Sequence, residues 1–471
     1  MSSGPDDEYF ADGLTEEILN ALAQLPELLV TARTSAFSFK GQDIPVQEIA
    51  AALGVNHIVE GSVRRSGERL RVTAQLIRAD DGFHLWSENY DSTSTDTIAV
   101  QENIAEQIAS VLDVVLDEGK REAMKQAGLR DVEAFTLYQK GYEVYERAHG
   151  EMDTIEGLRQ ANAYFDQVIE RVPTFSPVYL DHSDLFIHML TNDASDVYQT
   201  GVTEEDLANA YPAAIADYEA ALRHVPSSAP RRMMELDLAY LSGNWRGLTG
   251  RIERALDEPG CNEGNWTSII VDGFGYSEPY LERAMRVLAC DPRRSLSWFN
   301  VARSALRMGD KEEALRLARE GTEIAPGGWL TSALVRALVA NGLHEEALEE
   351  IDDRIQDVNI ASALKALVTA NEGDRARFDQ IFEEFQFANT SGNYWGSLVA
   401  AWGGHREEAN RLAALIDQHH FGAVTLTQVT QWCACGAPFD LNATPNFAAK
   451  LEEGGLTWPP QAVMEFPLKD W

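Results

Sequence analysis

The chain has 471 residues, which allows about three domains of roughly 150 residues or one long repeat array. It carries 75 acidic against 39 basic residues, a formal charge of −36, which excludes a protein that works by neutralising nucleic-acid phosphates or anionic lipid headgroups. With 45% hydrophobic residues it has the apolar side chains to build cores, so global disorder is excluded as well.

From Met1 onward there is neither a basic-then-apolar leader nor an apolar run of about 18 residues. As written, this places the chain in the cytoplasm, with the periplasm as the alternative if a leader or membrane helix lies upstream. The four cysteines, Cys261, Cys290, Cys433 and Cys435, are too few and scattered to form a disulfide framework.

The pattern changes near residue 120. Before it, residues 12–25 place Leu14, Ile18, Leu19, Leu22 and Leu25 on one helical face, and Leu28, Leu29 and Val30 read as a short strand. A second helix spans 45–53 and stops at Gly54, and VNHIVEGSV reads as a strand. After a turn at Arg65-Ser66-Gly67-Glu68, RLRVTAQLI alternates with Leu70, Val72, Ala74 and Leu76 on one face; FHLWSENY is a further strand and 97–118 a long amphipathic helix. This order predicts an α/β domain over 1–120, with helices packed on a mixed sheet.

Beyond residue 120 a repeat takes over. Trp298, Val301, Ala302, Ala305, Gly309, Ala314, Ala318, Gly321 and Pro326 follow the tetratricopeptide spacing: an aromatic in the first helix, small residues at a close crossing, Gly in the turn, Pro at the end. Pro292 and Pro326 are 34 apart, whereas Gly309 and Gly342, and Ala314 and Ala347, are 33 apart. Weaker copies around Phe165, Tyr218, Ala284, Phe378 and Ala409 predict about eight helix pairs over 132–418, stacked as an all-α right-handed superhelix with one concave surface. Residues 419–471 lose the period; their prolines and aromatics predict extended chain that caps the last apolar face.

The segments DDEYFADGLTEEI, ARTSAFSFKG, GVNHIVEGSVRRSGERLRVTAQLI and HLWSENYD together resemble the TolB-like amino-terminal domain that precedes tetratricopeptide repeats in bacterial adenylate-cyclase-associated proteins, and the ending GLTWPPQAVMEFPLKDW is similar to the tails of such proteins. The resemblance implies a protein-interaction module joined in relatives to a membrane helix, a winged DNA-binding domain or a cyclase domain. It also implies an opening strand of the form VAVLPF. Here Met1-Ser2-Ser3-Gly4-Pro5 stands at the turn that would follow it, so the first strand is expected to be missing.

Candidate chemistries are sparse. Arg64, Arg65, Arg69, Arg71 and Arg78 cluster about the hairpin and read as a solvent-facing strand surface rather than an anion site. His419 and His420 before Cys433-Ala434-Cys435 do not match zinc-ligand spacing; paired or packed thiols fit better, and no metal or other cofactor is expected. No phosphate loop, nucleophile elbow or metalloprotease helix occurs, Ser62 and Asp91 form no triad, and the chain reads as a non-enzyme.

Function is therefore expected in the repeat groove. Phe299 and Arg303 lie one turn apart on the inner helix of the clearest unit, and Arg336 matches Arg303 one 33-residue period later, with Asn300 and Asn341 nearby. Paired guanidiniums suit a protein or peptide partner with an acidic group or a free C-terminus. The expected function is a non-enzymatic scaffold; the alternatives are the regulatory or sensory part of an adenylate cyclase or transcriptional regulator and, third, an enzyme.

Overall fold

The computed structural model describes residues 5–25, 27–66, 69–93, 97–126, 129, 131–150, 154–195, 201–225, 228–258, 261, 266–387, 392–460, 466 and 469–471. Among them, the first part of the chain is a three-stranded sheet covered by helices. The elements run α1 (Pro5–Ala23), α2 (Arg33–Phe37), α3 (Val46–Leu53), β1 (His57–Ser66), β2 (Arg69–Arg78), β3 (His84–Thr93), α4 (Thr97–Val111) and α5 (Glu118–Gln126). Leu70, Val72, Ala74 and Leu76 of β2 are buried as their alternation predicts, against Leu14, Ile18 and Leu22 of α1 and Ile104, Ala105 and Ile108 of α4.

Three features of this unit depart from expectation. The sheet is antiparallel throughout, in the order β1-β2-β3, and not mixed. Its three strands are joined by short turns, which permit only antiparallel neighbours. The segment 28–30 forms no strand: Leu28 and Val30 lean on the core while Leu29 is 70% exposed. A run of three apolar residues is too short to tell a strand from a loop that wraps a core. The long helix expected over 97–118 breaks after Val111, where Asp113 takes a left-handed φ of 60°. Of the turn expected at residues 1–5, residues 1–4 lie outside those described, and Pro5 already belongs to α1.

Among the described residues sixteen helices follow in eight antiparallel pairs: α6 (Val132–Gly150) with α7 (Thr154–Arg171), α8 (Ser176–Ala194) with α9 (Glu204–His224), α10 (Ser228–Leu241) with α11 (Leu248–Leu256), and α12 (Thr267–Gly273) with α13 (Ser277–Cys290). The later pairs are α14 (Ser295–Arg307) with α15 (Lys311–Ile324), α16 (Gly328–Ala340) with α17 (His344–Arg354), α18 (Val358–Glu372) with α19 (Arg375–Phe387), and α20 (Gly392–Trp402) with α21 (Arg406–Asp417). The repeat is visible in bonds as well as in spacing. Tyr179 donates to the Pro173 carbonyl at 2.9 Å, and Trp298 donates to the Pro292 carbonyl at 2.7 Å, six residues back in both cases. Gly309 and Gly342 turn between paired helices at φ of 80° and 75°, a region costly for any residue with a Cβ.

Ala314, Ala347 and Ala409 are buried to within 1% where helices cross, and a Cβ on Gly321 would sit 2.6 Å from the Trp298 side chain. Such crossings leave no room for extra carbon. Ala314→Leu is accordingly expected to destabilise the chain by about 1–3 kcal/mol. Chemical denaturation checks this, and an unmoved midpoint would contradict the packing described.

The chain after α21 is the largest departure from expectation. Instead of extended chain it forms α22 (Gly422–Cys433), a 3-10 turn at Leu441–Ala443 and α23 (Pro445–Gly454). Every residue of α22 except Ala423 is buried. The hydroxyls of Thr425, Thr427 and Thr430 each donate to the carbonyl four residues back, at 3.3, 2.9 and 2.9 Å. A polar helix satisfied in this way can be buried at little cost.

Helix α22 lies against α8, α12, α20 and α21, so it runs between early and late pairs. Tyr240 of α10 donates to the Val424 carbonyl at 2.9 Å, Arg307 of α14 to the Gln431 carbonyl at 2.9 Å, and Trp402 of α20 to the Cys433 carbonyl at 3.0 Å. The array also meets itself directly, the Asn393 amide donating to the Ser195 carbonyl, and the tail returns to it where Phe447 of α23 packs edge-on against Trp245. Helices from both halves of the array thus surround one internal helix.

The amino-terminal unit is docked on this array. Arg33 binds Glu16 at 2.8 Å and reaches Gln139 of α6, which itself donates to Glu16. Ser35 donates to Asp291 at 2.6 Å and accepts from the Arg293 amide at 2.8 Å, and the Ala32 amide donates to the Cys290 carbonyl at 2.9 Å. Residues 32–35 therefore tie the unit to the loop between α13 and α14.

Candidate functional site

The three groove residues predicted from sequence come together, but not on an open surface. Phe299, Arg303 and Arg336 are 5%, 3% and 2% exposed. Arg303 forms a buried ion pair with Asp272 of α12 at 2.8 Å, and its guanidinium lies 4.7 Å from the centre of the Phe299 ring. Turned to satisfy its own bonds, the Gln431 amide oxygen of α22 accepts from Arg303. Arg336 lies 5.6 Å from the ring centres of both Trp432 and Phe466. Two arginines expected to meet a partner's carboxylate instead hold the chain's own helix and tail.

The reason lies in the length of the array. Eight pairs return far enough to enclose their own continuation, and burial of α22 removes the groove that spacing alone would leave open. Of the two asparagines expected near the site, Asn300 is 1% exposed, and Asn341 binds the Lys311 carbonyl at 2.8 Å and thereby ties α16 to α15.

What remains open next to these residues is a cluster of aromatic rings. Trp432 stands at its centre, 5.5 Å from Trp329, 5.6 Å from Trp395 and 6.3 Å from Phe299. Trp329, in the first turn of α16, is 42% exposed, and Trp395 in the first turn of α20 is half-buried. Sequence reasoning found Phe299 and missed both tryptophans. The signal was present, because Trp329 and Trp395 each follow a glycine or asparagine-rich break at the start of an inner helix.

A second polar cluster joins the inner helices of the first two pairs. His149 Nε2 of α6 is 2.9 Å from Asp184 Oδ2 of α8, and His188 Nε2, one turn along α8, is 3.6 Å from the same oxygen. His149 Nδ1 lies 2.8 Å from the Tyr145 carbonyl. Burial opposes the charge on His149, but the Asp184 carboxylate outweighs it and holds the imidazole up to about 9. Burial would raise Asp184, yet its imidazole neighbours and the Tyr145 hydroxyl hold it below the usual carboxylate range. His188 is pushed down by burial. Nearby, Tyr138 donates to Asp181 at 2.8 Å, and burial lifts that carboxyl to about 7. None of these residues stood out in the sequence, because no local spacing unites α6 with α8.

The hairpin arginines Arg64, Arg69, Arg71 and Arg78 face solvent, and Arg71 forms a fork with its cross-strand partner Asp91 at 2.6 and 2.8 Å. His419 and His420 converge on no thiol: Cys433 is bonded to Cys435, and Cys261 to Cys290. Among the described residues no helix is long and apolar enough to cross a membrane.

No family model matches the chain. It is 41% identical over 137 residues to a putative adenylate cyclase 3 of Rhizobium meliloti (strain 1021), a match that covers 29% of this chain and 23% of the relative. The chain thus matches about a quarter of that relative's length. Among solved structures it is similar to the TPR domain of P58(IPK), at 11% identity over 63% of this chain and 97% of that one, with a TM-score of 0.17.

Proposed function

We propose that the chain is a non-enzymatic scaffold for protein or peptide partners, built from a TolB-like α/β unit docked on a tetratricopeptide-type superhelix. The observation that carries this reading is the aromatic cluster at the first turns of α16 and α20, where Trp329 keeps 42% of its surface in water although its ring packs against a buried tryptophan. Aromatic side chains held rigidly at the edge of a packed region supply binding area at low entropic cost. Behind them Arg336 lies over Trp432 and Arg303 over Phe299, which leaves the contact itself to the rings.

Trp329→Glu places a charge at that surface while touching little of the core. The expected result is loss of the partners that the parent chain retains by crosslinking in its native cell, with helical circular dichroism and thermal midpoint unchanged. Retention of the same partners would place the interaction elsewhere.

The similarity to a putative adenylate cyclase favours a second reading, in which the same scaffold is the regulatory portion of a cyclase. Addition of the chain to a cyclase catalytic domain from such a relative should then change its rate of cyclic nucleotide formation. The two disulfides, with Cα separations of 6.1 and 5.1 Å, support an oxidising compartment such as the periplasm over the cytoplasm.

A further inference from the structure

The contacts around His149 leave one carboxylate oxygen facing two imidazole nitrogens. A carbonyl oxygen only accepts, so His149 Nδ1, 2.8 Å from the Tyr145 carbonyl, carries a hydrogen. His149 Nε2 then faces Asp184 Oδ2 at 2.9 Å, and His188 Nε2 faces the same oxygen at 3.6 Å, too far for a good hydrogen bond. A divalent ion among them would be held by all three atoms.

We propose that His149, Asp184 and His188 form a binding site for a zinc-type divalent ion. Donor atoms placed about 2.0–2.2 Å from a tetrahedral zinc lie about 3.3–3.6 Å from one another. The two distances to Asp184, 2.9 and 3.6 Å, bracket that spacing, and all three donor atoms lie within 4.8 Å of one another. One outer contact is already in place: the Tyr145 carbonyl fixes the His149 tautomer and leaves Nε2 facing Asp184. Asp184 is 8% exposed by its side chain, whereas His149 and His188 keep 32% and 31%. The carboxylate therefore forms the floor and the imidazoles the mouth of a site that leaves one coordination position to water or to a donor from a partner. Two imidazoles and a carboxylate suit zinc or a neighbouring late transition metal better than Mg2+ or Ca2+, which prefer all-oxygen sets.

The site joins α6 to α8, one turn apart on the latter. A bound ion would pin the first two inner helices of the array to each other, beside the face on which the amino-terminal unit docks.

The test is calorimetric titration of the full-length chain, free of any histidine tag, with Zn2+ in excess Mg2+ so that the many surface carboxylates are saturated. Co2+ is the spectroscopic probe. The expected result is one equivalent of tightly held Zn2+, intense four-coordinate Co2+ absorption, and an affinity at least about tenfold lower in both His149→Gln and His188→Gln. These positions are partly exposed, and circular dichroism checks that the variants fold. His182→Gln, on the same helix but with its two nitrogens facing Asp217 and Asp166, should bind as the parent does. Absence of Zn2+ binding by the parent, or undiminished binding by the His149 and His188 variants, would overturn the proposal.

Discussion

Replacement of Arg303 by alanine is expected to destabilise the chain by about 3–5 kcal/mol, because it leaves the Asp272 carboxylate buried without its counter-charge. Asp272 is fully buried and Arg303 is 3% exposed, so water cannot take over the lost contact. The pair itself is worth much less than this cost. Desolvation of two ions offsets most of their attraction, and the double replacement Arg303→Met with Asp272→Leu is expected to recover the greater part of the loss. Denaturant unfolding of the two single variants and the double variant separates these effects. A small loss in Arg303→Ala would mean that Asp272 is reached by solvent and that α12 and α14 do not enclose the pair.

Truncation of Trp432 to alanine should cost a similar amount, about 3–5 kcal/mol, for a different reason. Its ring fills the space between Trp329, Trp395 and Phe299 and lies beneath the Arg336 guanidinium. Removal opens a cavity bordered by aromatic faces, and it takes away the surface on which Arg336 rests. Near-ultraviolet circular dichroism should lose the signature of packed tryptophans, and the unfolding midpoint should fall. An unchanged midpoint would show that α22 is not held by this residue.

These two residues also mark where the sequence is informative and where it is silent. The alternation of Leu70, Val72, Ala74 and Leu76 predicts a strand with one buried face, and those residues are buried in β2. The spacing of Trp298, Gly309, Ala314 and Gly321 predicts paired helices with close crossings, because small residues at fixed offsets have a steric cause that does not depend on distant parts of the chain. The register of Arg303 and Arg336 was legible for the same reason.

Their exposure was not. Whether an inner residue of a repeat meets solvent depends on how far the array turns and on what enters it, and neither is encoded within one repeat. Helix α22 was not legible because residues 419–471 carry no repeat period and their prolines and aromatics favour extended chain, while Thr425, Thr427, Thr430 and Gln431 interrupt the apolar pattern expected of a buried helix. The His149, Asp184 and His188 cluster was hidden for a related reason: its members converge only after α6 and α8 have packed.

The interior of the array is filled by the chain's own α22 and is not an open groove. Native-state hydrogen exchange, read segment by segment, tests it most directly. Amides of residues 422–433 should exchange as slowly as those of α14 and α16, through the same global opening, because the helix is enclosed by both halves of the array. Rapid exchange of residues 422–433 while α14 and α16 stay protected would contradict it, since it would show a helix that leaves the interior and an inner surface free to receive a partner.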